Sequence, residues 1–431
     1  MAEPEETDVC VAGGGPAGLL LGLELAKRGR RVTVVEQKNG FERSFRGEAI
    51  SPDAVWLLDR LGLLDRLREE SLVTRRVEIR DAGKVVLSTD FSTAAWPSKY
   101  PREIPQPPLL SAIHEQAVAL PGFRLLSGRT VTDLLRDDGG RVIGVRCAGE
   151  QDGPAQVRAA LTVAADGRYS KLREMAALAA AKVPLERDFI WFKVPRPDFW
   201  DGQAYQVRLL RGAHGVFIPT VPDQLRVGLN ILKGELRTLR SQGIGALHTR
   251  VAELAPELAE TVHTYLPDWS GTSALEIFST TVPAWSAPGL VLIGDAAHTL
   301  TPILGLGVHH ALLDAVVLAP LVADAFNAAD VAQALDAASR EFQRRREPSV
   351  EFSRGLQLRQ EKAFALSSPV AVAARRSVYR VINRSDRVRR RLMTGIYYSL
   401  QHAVLSGGQR LDLLPPADAT QRPAESAQVR P

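Results

Sequence analysis

The chain has 431 residues, 45% of them hydrophobic and 24% charged, with a net charge of +5. That content supports a substantial core, and the length corresponds to about three domains. No apolar stretch free of charges reaches the roughly 18 residues a membrane span needs, and the acidic start over residues 1–8 is no secretory signal, so the cytoplasm is the expected compartment. The two cysteines, Cys10 and Cys147, have no metal or redox spacing and read as small buried hydrophobes of a reducing compartment.

In chain order, Asp8-Val9-Cys10-Val11-Ala12 is suited to a buried parallel strand, and leucines at helical spacing follow over residues 19–28 until Gly29. Gly13, Gly15, Pro16, Ala17 and Gly18 therefore occupy a strand-to-helix turn. Its glycines permit the tight turn, close backbone approach to a pyrophosphate and close helix packing, and the helix N-terminus attracts negative charge. A second strand over 31–35 ends at Glu36, an acid at the spacing expected for a ribose hydroxyl. Residues 52–67 read as a helix, 76–90 as a hairpin around Asp81-Ala82-Gly83, 97–108 as a proline-rich stretch and 109–120 as a helix. Strands with a turn at Asp137-Asp138-Gly139-Gly140 follow over 124–147.

A strand over 161–165 ends in Asp166-Gly167, where an aspartate is placed to accept from sugar hydroxyls and Arg173 to neutralise phosphate. Residues 186–232 alternate as strands do, as in Tyr205-Gln206-Val207-Arg208-Leu209, and suggest a mainly antiparallel sheet domain inserted into the nucleotide-binding one. The apolar run 289–293 then enters a second glycine-acid turn, Gly294-Asp295, with Pro302, Gly305 and Gly307 ahead of an apolar helix. Two such turns in one chain suggest one long dinucleotide gripped from two sides.

Residues 340–402 hold 14 arginines and one lysine against five acids, so they carry +10 and the rest of the chain −5. No aromatics interleave with these arginines as a nucleic-acid surface requires; helices packed on the core are expected, with peripheral membrane contact as the alternative. Residues 415–431 read as a disordered tail. The expected division is 1–75, 100–180 and 276–330 for nucleotide binding, 76–99 and 181–275 for substrate, 331–403 for C-terminal helices and 404–431 for the tail. No Gly-x-Ser-x-Gly elbow, lysine-bearing phosphate loop or paired-histidine metal helix is present.

The three turns, in this order, resemble the motifs of the single-component FAD-dependent monooxygenases of the para-hydroxybenzoate hydroxylase type, over about residues 8–321. The resemblance implies an α/β fold: a Rossmann-like FAD-binding domain, an inserted mainly antiparallel substrate domain and C-terminal helices. It implies that Glu36 binds the adenosine ribose, that Asp295 binds the ribityl or pyrophosphate region, and that Arg46, Gln106, Val131 and Pro302 lie along the cofactor. It also implies Gly305 and Gly307 amides at the pyrimidine edge of the flavin, although Leu306 and His309 depart from the family's usual glutamine and asparagine.

The implied reaction uses NAD(P)H as a transient co-substrate and O2 to hydroxylate an aromatic or conjugated small molecule through a flavin hydroperoxide. No separate nicotinamide fingerprint accompanies it. No residue is assigned as a catalytic acid, base or metal ligand; adjacent His309 and His310, and His298, read better as structural. Tyr205, His214, Phe217 and Pro219 are candidates to line the substrate. A reductase of the geranylgeranyl reductase type, a flavin halogenase and a non-catalytic flavin-binding protein are the alternatives.

Overall fold

Two large β-sheets and a run of C-terminal helices make up the computed structural model, which describes residues 4–42, 47–149, 155–407 and 411–412. The first sheet is centred on Glu5–Ala12, which pairs in parallel with Val32–Val35 on one side and Gln156–Ala164 on the other. Phe123–Leu126 and Leu290–Leu292 extend it in parallel at the two flanks. An antiparallel ribbon, Thr130–Arg136 with Val142–Ala148, branches from Gln156–Ala164. Central parallel strands are covered on both faces, and so they read as continuous apolar runs rather than alternating ones. The helix Pro16–Lys27 lies against this sheet with Leu19, Leu20, Leu21, Leu23 and Leu25 fully buried.

The second sheet has the order Ser273–Leu275, Arg187–Pro195, Gln224–Leu232, Ala213–Thr220, Ala204–Leu210, Arg76–Asp81, Lys84–Asp90. All its pairings are antiparallel except Arg76–Asp81 with Ala204–Leu210. Its strands come from residues 76–90 and 187–275, and those of the first sheet from 5–164 and 286–292, so the chain crosses between the sheets more than once. Side chains alternate across a strand, giving the second sheet two distinct faces. Phe192, Phe217, Leu225, Val227 and Leu229 pack on one face under the short helices Glu235–Ser241, Gly245–Leu254 and Ala259–Tyr265. These helices were not anticipated from the sequence. Trp191, Tyr205 and Ile218 lie on the other face, toward the first sheet.

Several local expectations change. The helix expected over 52–67 divides into Pro52–Arg60 and Leu64–Leu67, because Gly62 adopts φ +70° between them. The proline-rich stretch contributes Arg102–Glu103, the middle strand of a small sheet with Ala49–Ile50 and Leu72–Val73. Ile303–Ala325 is long and apolar enough by length and composition to cross a membrane, although Asp314 and Asp324 within it mean that it is not a charge-free stretch. It is mostly buried within the protein, and its helix Gly307–Ala325 carries the buried Asp314.

The basic segment forms the helices Val331–Ala365, Pro369–Arg384, Asp386–Tyr397 and Ser399–Leu405. Three of its arginines are buried: Arg346, Arg354 and Arg375. Arg375 and Arg376 each donate to a different oxygen of Asp81, both at 2.6 Å, and tie the helices to the second sheet. Asp53 accepts from the Leu400 and Gln401 amides at 2.7 and 3.1 Å and ties them to the helix Pro52–Arg60. Residues 404 and 405, expected to begin the tail, finish the last helix; residues 413–431 lie outside the described residues.

Candidate active site

A cavity of about 590 Å³ runs between the carboxyl ends of the parallel strands and the inner face of the second sheet. Ligands of open parallel sheets bind at this position, because the strand-to-helix turns present free backbone amides there. Gly13, Gly15, Pro16, Ala17, Glu36, Gln106, Val131, Asp166, Gly167, Gly294, Asp295, Pro302, Gly305 and Gly307 all line it. Gly18 does not, and Arg46 lies outside the described residues.

The glycines at the first turn divide the work. Gly13 has φ +116°, and a Cβ there would collide with the Ala165 carbonyl; a Cβ on Gly18 would collide with the Gly13 carbonyl. Gly18 therefore acts by letting the helix close on the loop, one step removed from the cavity. Gly15 has open space where a Cβ would stand and begins Pro16–Lys27, whose first turn holds no acid. Glu36 accepts from the Gly14 amide at 2.8 Å and the Lys38 amide at 3.0 Å, so its carboxylate is held at the cavity wall by the loop itself.

At the second turn, Asp166 Oδ2 accepts from the Leu172 amide at 3.1 Å, while buried Oδ1 has no partner. Burial raises its carboxyl above the ordinary aspartate range. Arg173, expected to meet phosphate, is instead buried away from the cavity and donates to the Ala296 carbonyl at 2.8 Å. The arginine of this turn that lines the cavity is Arg168, 4.0 Å from Asp295 and donating to the Glu276 carbonyl at 2.8 Å. The reason is helical geometry: Arg173 lies inside the helix Lys171–Met175, turned toward the core, whereas Arg168 precedes it in the loop.

The third turn rests on a buried network. Asp314 accepts from the Gly294 amide at 2.7 Å, from His298 at 2.7 Å and from Arg346 Nε at 2.7 Å. Burial alone would raise this carboxyl, but His298 hydrogen-bonded to it and the Arg346 guanidinium beside it hold it below the ordinary range. Arg346 also reaches His310 Nδ1 at 2.8 Å, and His310 Nε2 lies 2.9 Å from Ser353 Oγ. His309 Nδ1 lies 3.1 Å from Ser51 Oγ. Burial, reinforced by Arg346, pushes His309 down to about 3 and His310 well below the ordinary histidine value. Neither they nor His298 line the cavity, and Leu306 is core; these residues hold the turn and the helix behind it.

The sheet side of the cavity was only partly anticipated. Tyr205 lines it; His214, Phe217 and Pro219 do not. Phe217 falls in the opposite core by strand alternation, and His214, on the cavity face but farther along, packs against Phe189 and Phe364. Trp191, Ile218, Arg226 and Leu275 take their places. The signal for Arg226 was legible as a charge at the centre of the apolar strand Leu225-Arg226-Val227. Beside these residues Lys193 Nζ donates to Glu48 at 2.9 Å, and Thr220 Oγ1 donates to Glu48 at 3.1 Å.

The residues present fit FAD. Two helix N-termini free of acids face the cavity, from Pro16–Lys27 and Gly307–Ala325, the glycine positions leave room for close backbone approach, and an orphaned Asp166 oxygen awaits a donor. Residues 6–353 match the model of the family described as FAD binding domain. The chain is 33% identical over 393 residues to 6-methylpretetramide 4-monooxygenase of Streptomyces rimosus, covering 90% of this chain and 91% of that protein. It is 28% identical to para-nitrophenol 4-monooxygenase of a Pseudomonas species, over 71% of this chain and 75% of that one. Among solved structures, p-nitrophenol 4-monooxygenase of Pseudomonas putida superposes with a TM-score of 0.77 at 23% identity, covering 92% and 98% of the two chains.

Proposed function

This chain belongs to the FAD binding domain family and is an FAD-dependent monooxygenase, and from that premise we propose that it uses NAD(P)H and O2 to hydroxylate an electron-rich aromatic small molecule. The observation that carries this reading is one continuous cavity, which joins the three motif turns to a face of the second sheet bearing Trp191, Tyr205 and Arg226. Bound FAD supplies the redox chemistry: it accepts hydride, and once reduced it activates O2 for transfer of one oxygen atom.

This chain's residues do the rest. Glu36 and Asp295, at opposite turns, accept from sugar and chain hydroxyls, and Gln106 and Val131 border the same channel. Gly305 and Gly307 leave the start of Gly307–Ala325 open toward the cavity, where amides and helix dipole favour developing negative charge. The apolar wall of Trp191, Ile218 and Leu275 keeps water from the reacting ring. Arg168 and Lys171 offer cations beside Asp166 for the nicotinamide co-substrate, and Pro302 shapes the wall opposite the sheet.

The test is the purified yellow protein, assayed for NADH and NADPH oxidation and peroxide release with and without candidate phenols. Phenol-stimulated oxidation with little peroxide and oxygen-18 from O2 in the product supports the proposal. Turnover that continues without O2 would place the chain among the reductases. The relatives named as monooxygenases favour the first outcome.

A further inference from the structure

Arg226 is only 4% exposed, yet its Nε has no hydrogen-bond partner and its guanidinium forms no ion pair among the described residues. It lines the cavity, with its guanidinium carbon 4.2 Å above the Trp191 ring. Trp191 also lines the cavity, and its buried Nε1 is likewise without a partner. Strand register explains the stack. Trp191 stands opposite Gly228 and Lys193 opposite Arg226, so the missing side chain of Gly228 leaves the space the indole fills; a Cβ there would stand 2.5 Å from the ring.

The neighbouring charges do not neutralise Arg226. The carboxylate of Glu48 is already committed to Lys193 at 2.9 Å. Glu103 is close enough to feel the arginine but makes no ion pair with it, and its Oε2 is unpartnered. Burial pushes the Glu103 carboxyl up to about 8, so it is protonated at neutral pH. A buried, unpaired guanidinium is costly to maintain, and the cost is relieved when an anion enters with the geometry to accept from it.

Resting on the monooxygenase reading above, we infer that Arg226 and the Trp191 indole N–H form the anchoring subsite for the aromatic substrate, and that the group they hold is an oxyanion on the ring. Either a phenolate or a ring carboxylate supplies that chemistry. An anchor on the sheet wall fixes which ring carbon faces the motif turns, and so makes Arg226 a determinant of specificity.

The experiment uses the FAD-loaded protein at pH 7.5, where Glu103 stays mostly protonated, with three probes of one ring: 4-nitrophenolate, 4-nitrobenzoate and uncharged 4-nitroanisole. Binding is read from flavin absorbance and tryptophan fluorescence, after FAD content has been measured. At least one anion is expected to bind about tenfold or more tightly than nitroanisole. Arg226→Met should erase that preference at unchanged FAD content, and Arg226→Lys should keep part of it. Whichever anion is preferred identifies the source of the charge.

Equal binding of all three probes, no binding of either anion, or a preference that survives in Arg226→Met would overturn the inference. So would loss of FAD in that variant with the preference intact, since this would put Arg226 on the cofactor. Failure of the wild-type protein to take up FAD at all would instead count against the function it rests on.

Discussion

At the scale of single residues, Asp295 and Glu103 have opposite relations to water. Asp295 is partly exposed at the cavity, with Arg168 at 4.0 Å its nearest cation. Replacing it by Ala removes acceptors for cofactor hydroxyls, so FAD affinity should fall roughly 10- to 100-fold, the size of a lost charged hydrogen bond. Flavin content after gel filtration measures this; full occupancy would sink the assigned role. Glu103 is buried, and its carboxyl stands at about 8 instead of the ordinary 4.5. A folded-state value above the unfolded one means that the native protein holds a proton the unfolded chain releases. The associated stability is full below the unfolded value and is lost as pH rises toward 8. Glu103→Gln should therefore lose about 2 kcal/mol less than wild type between pH 6 and 8, at about 1.4 kcal/mol per unit. Urea unfolding at the two pH values reads the difference, and parallel pH profiles would contradict it.

At the scale of elements, the third turn depends on a helix far along the chain. Arg346, on Val331–Ala365, meets Asp314 on Gly307–Ala325, and Asp314 in turn holds the Gly294 amide. Arg346→Met leaves a buried carboxylate without its cation, a change on the order of 3–5 kcal/mol. We expect a lowered Tm together with weaker FAD retention, because the loosened carboxylate no longer fixes the turn. A stable variant with normal flavin content would show that the network is dispensable. His309 and His310, depressed by burial, bind fewer protons than the unfolded chain below the ordinary histidine value. They should destabilise the fold progressively as pH falls below about 6.5. The second sheet makes a related point through its pleat: alternate residues enter different cores, which is why Tyr205 and Ile218 face the cavity and Phe217 does not.

For the whole molecule, the basic C-terminal helices are part of the body. Asp81 and Asp53, on different parts of the fold, are both satisfied by residues after 370. Truncation after Leu335 would leave both carboxylates buried and unpaired and expose the core around Phe342 and Val350, so insoluble or unstable protein is expected on expression. Their outward side still carries exposed Val378, Val381, Val388 and Leu392 among arginines. Sedimentation of full-length protein with anionic vesicles checks for a surface role; no binding is expected at physiological salt, where such charges are screened. A soluble, active truncation combined with salt-sensitive vesicle binding would reverse that expectation.

The sequence by itself determined the parallel strands, the three glycine-bearing turns and Glu36, Asp166 and Asp295 at the ends of their strands. These depend on local rules: apolar runs, glycine conformations and the place where a strand meets a helix. It did not determine which arginine of Arg168 and Arg173 faces the cavity, which face of the second sheet looks inward, or that three short helices cover the other. Nor did it reveal the Asp314 network or the Arg226 and Trp191 stack. The choice between the two arginines depends on where a short helix begins, the Asp314 network joins residues 16 to 32 positions apart, and the inward face and the stack depend on the phase of a strand against its partner. A charge within an apolar strand can be seen in one dimension; whether it has a partner is decided only when the sheets close on each other.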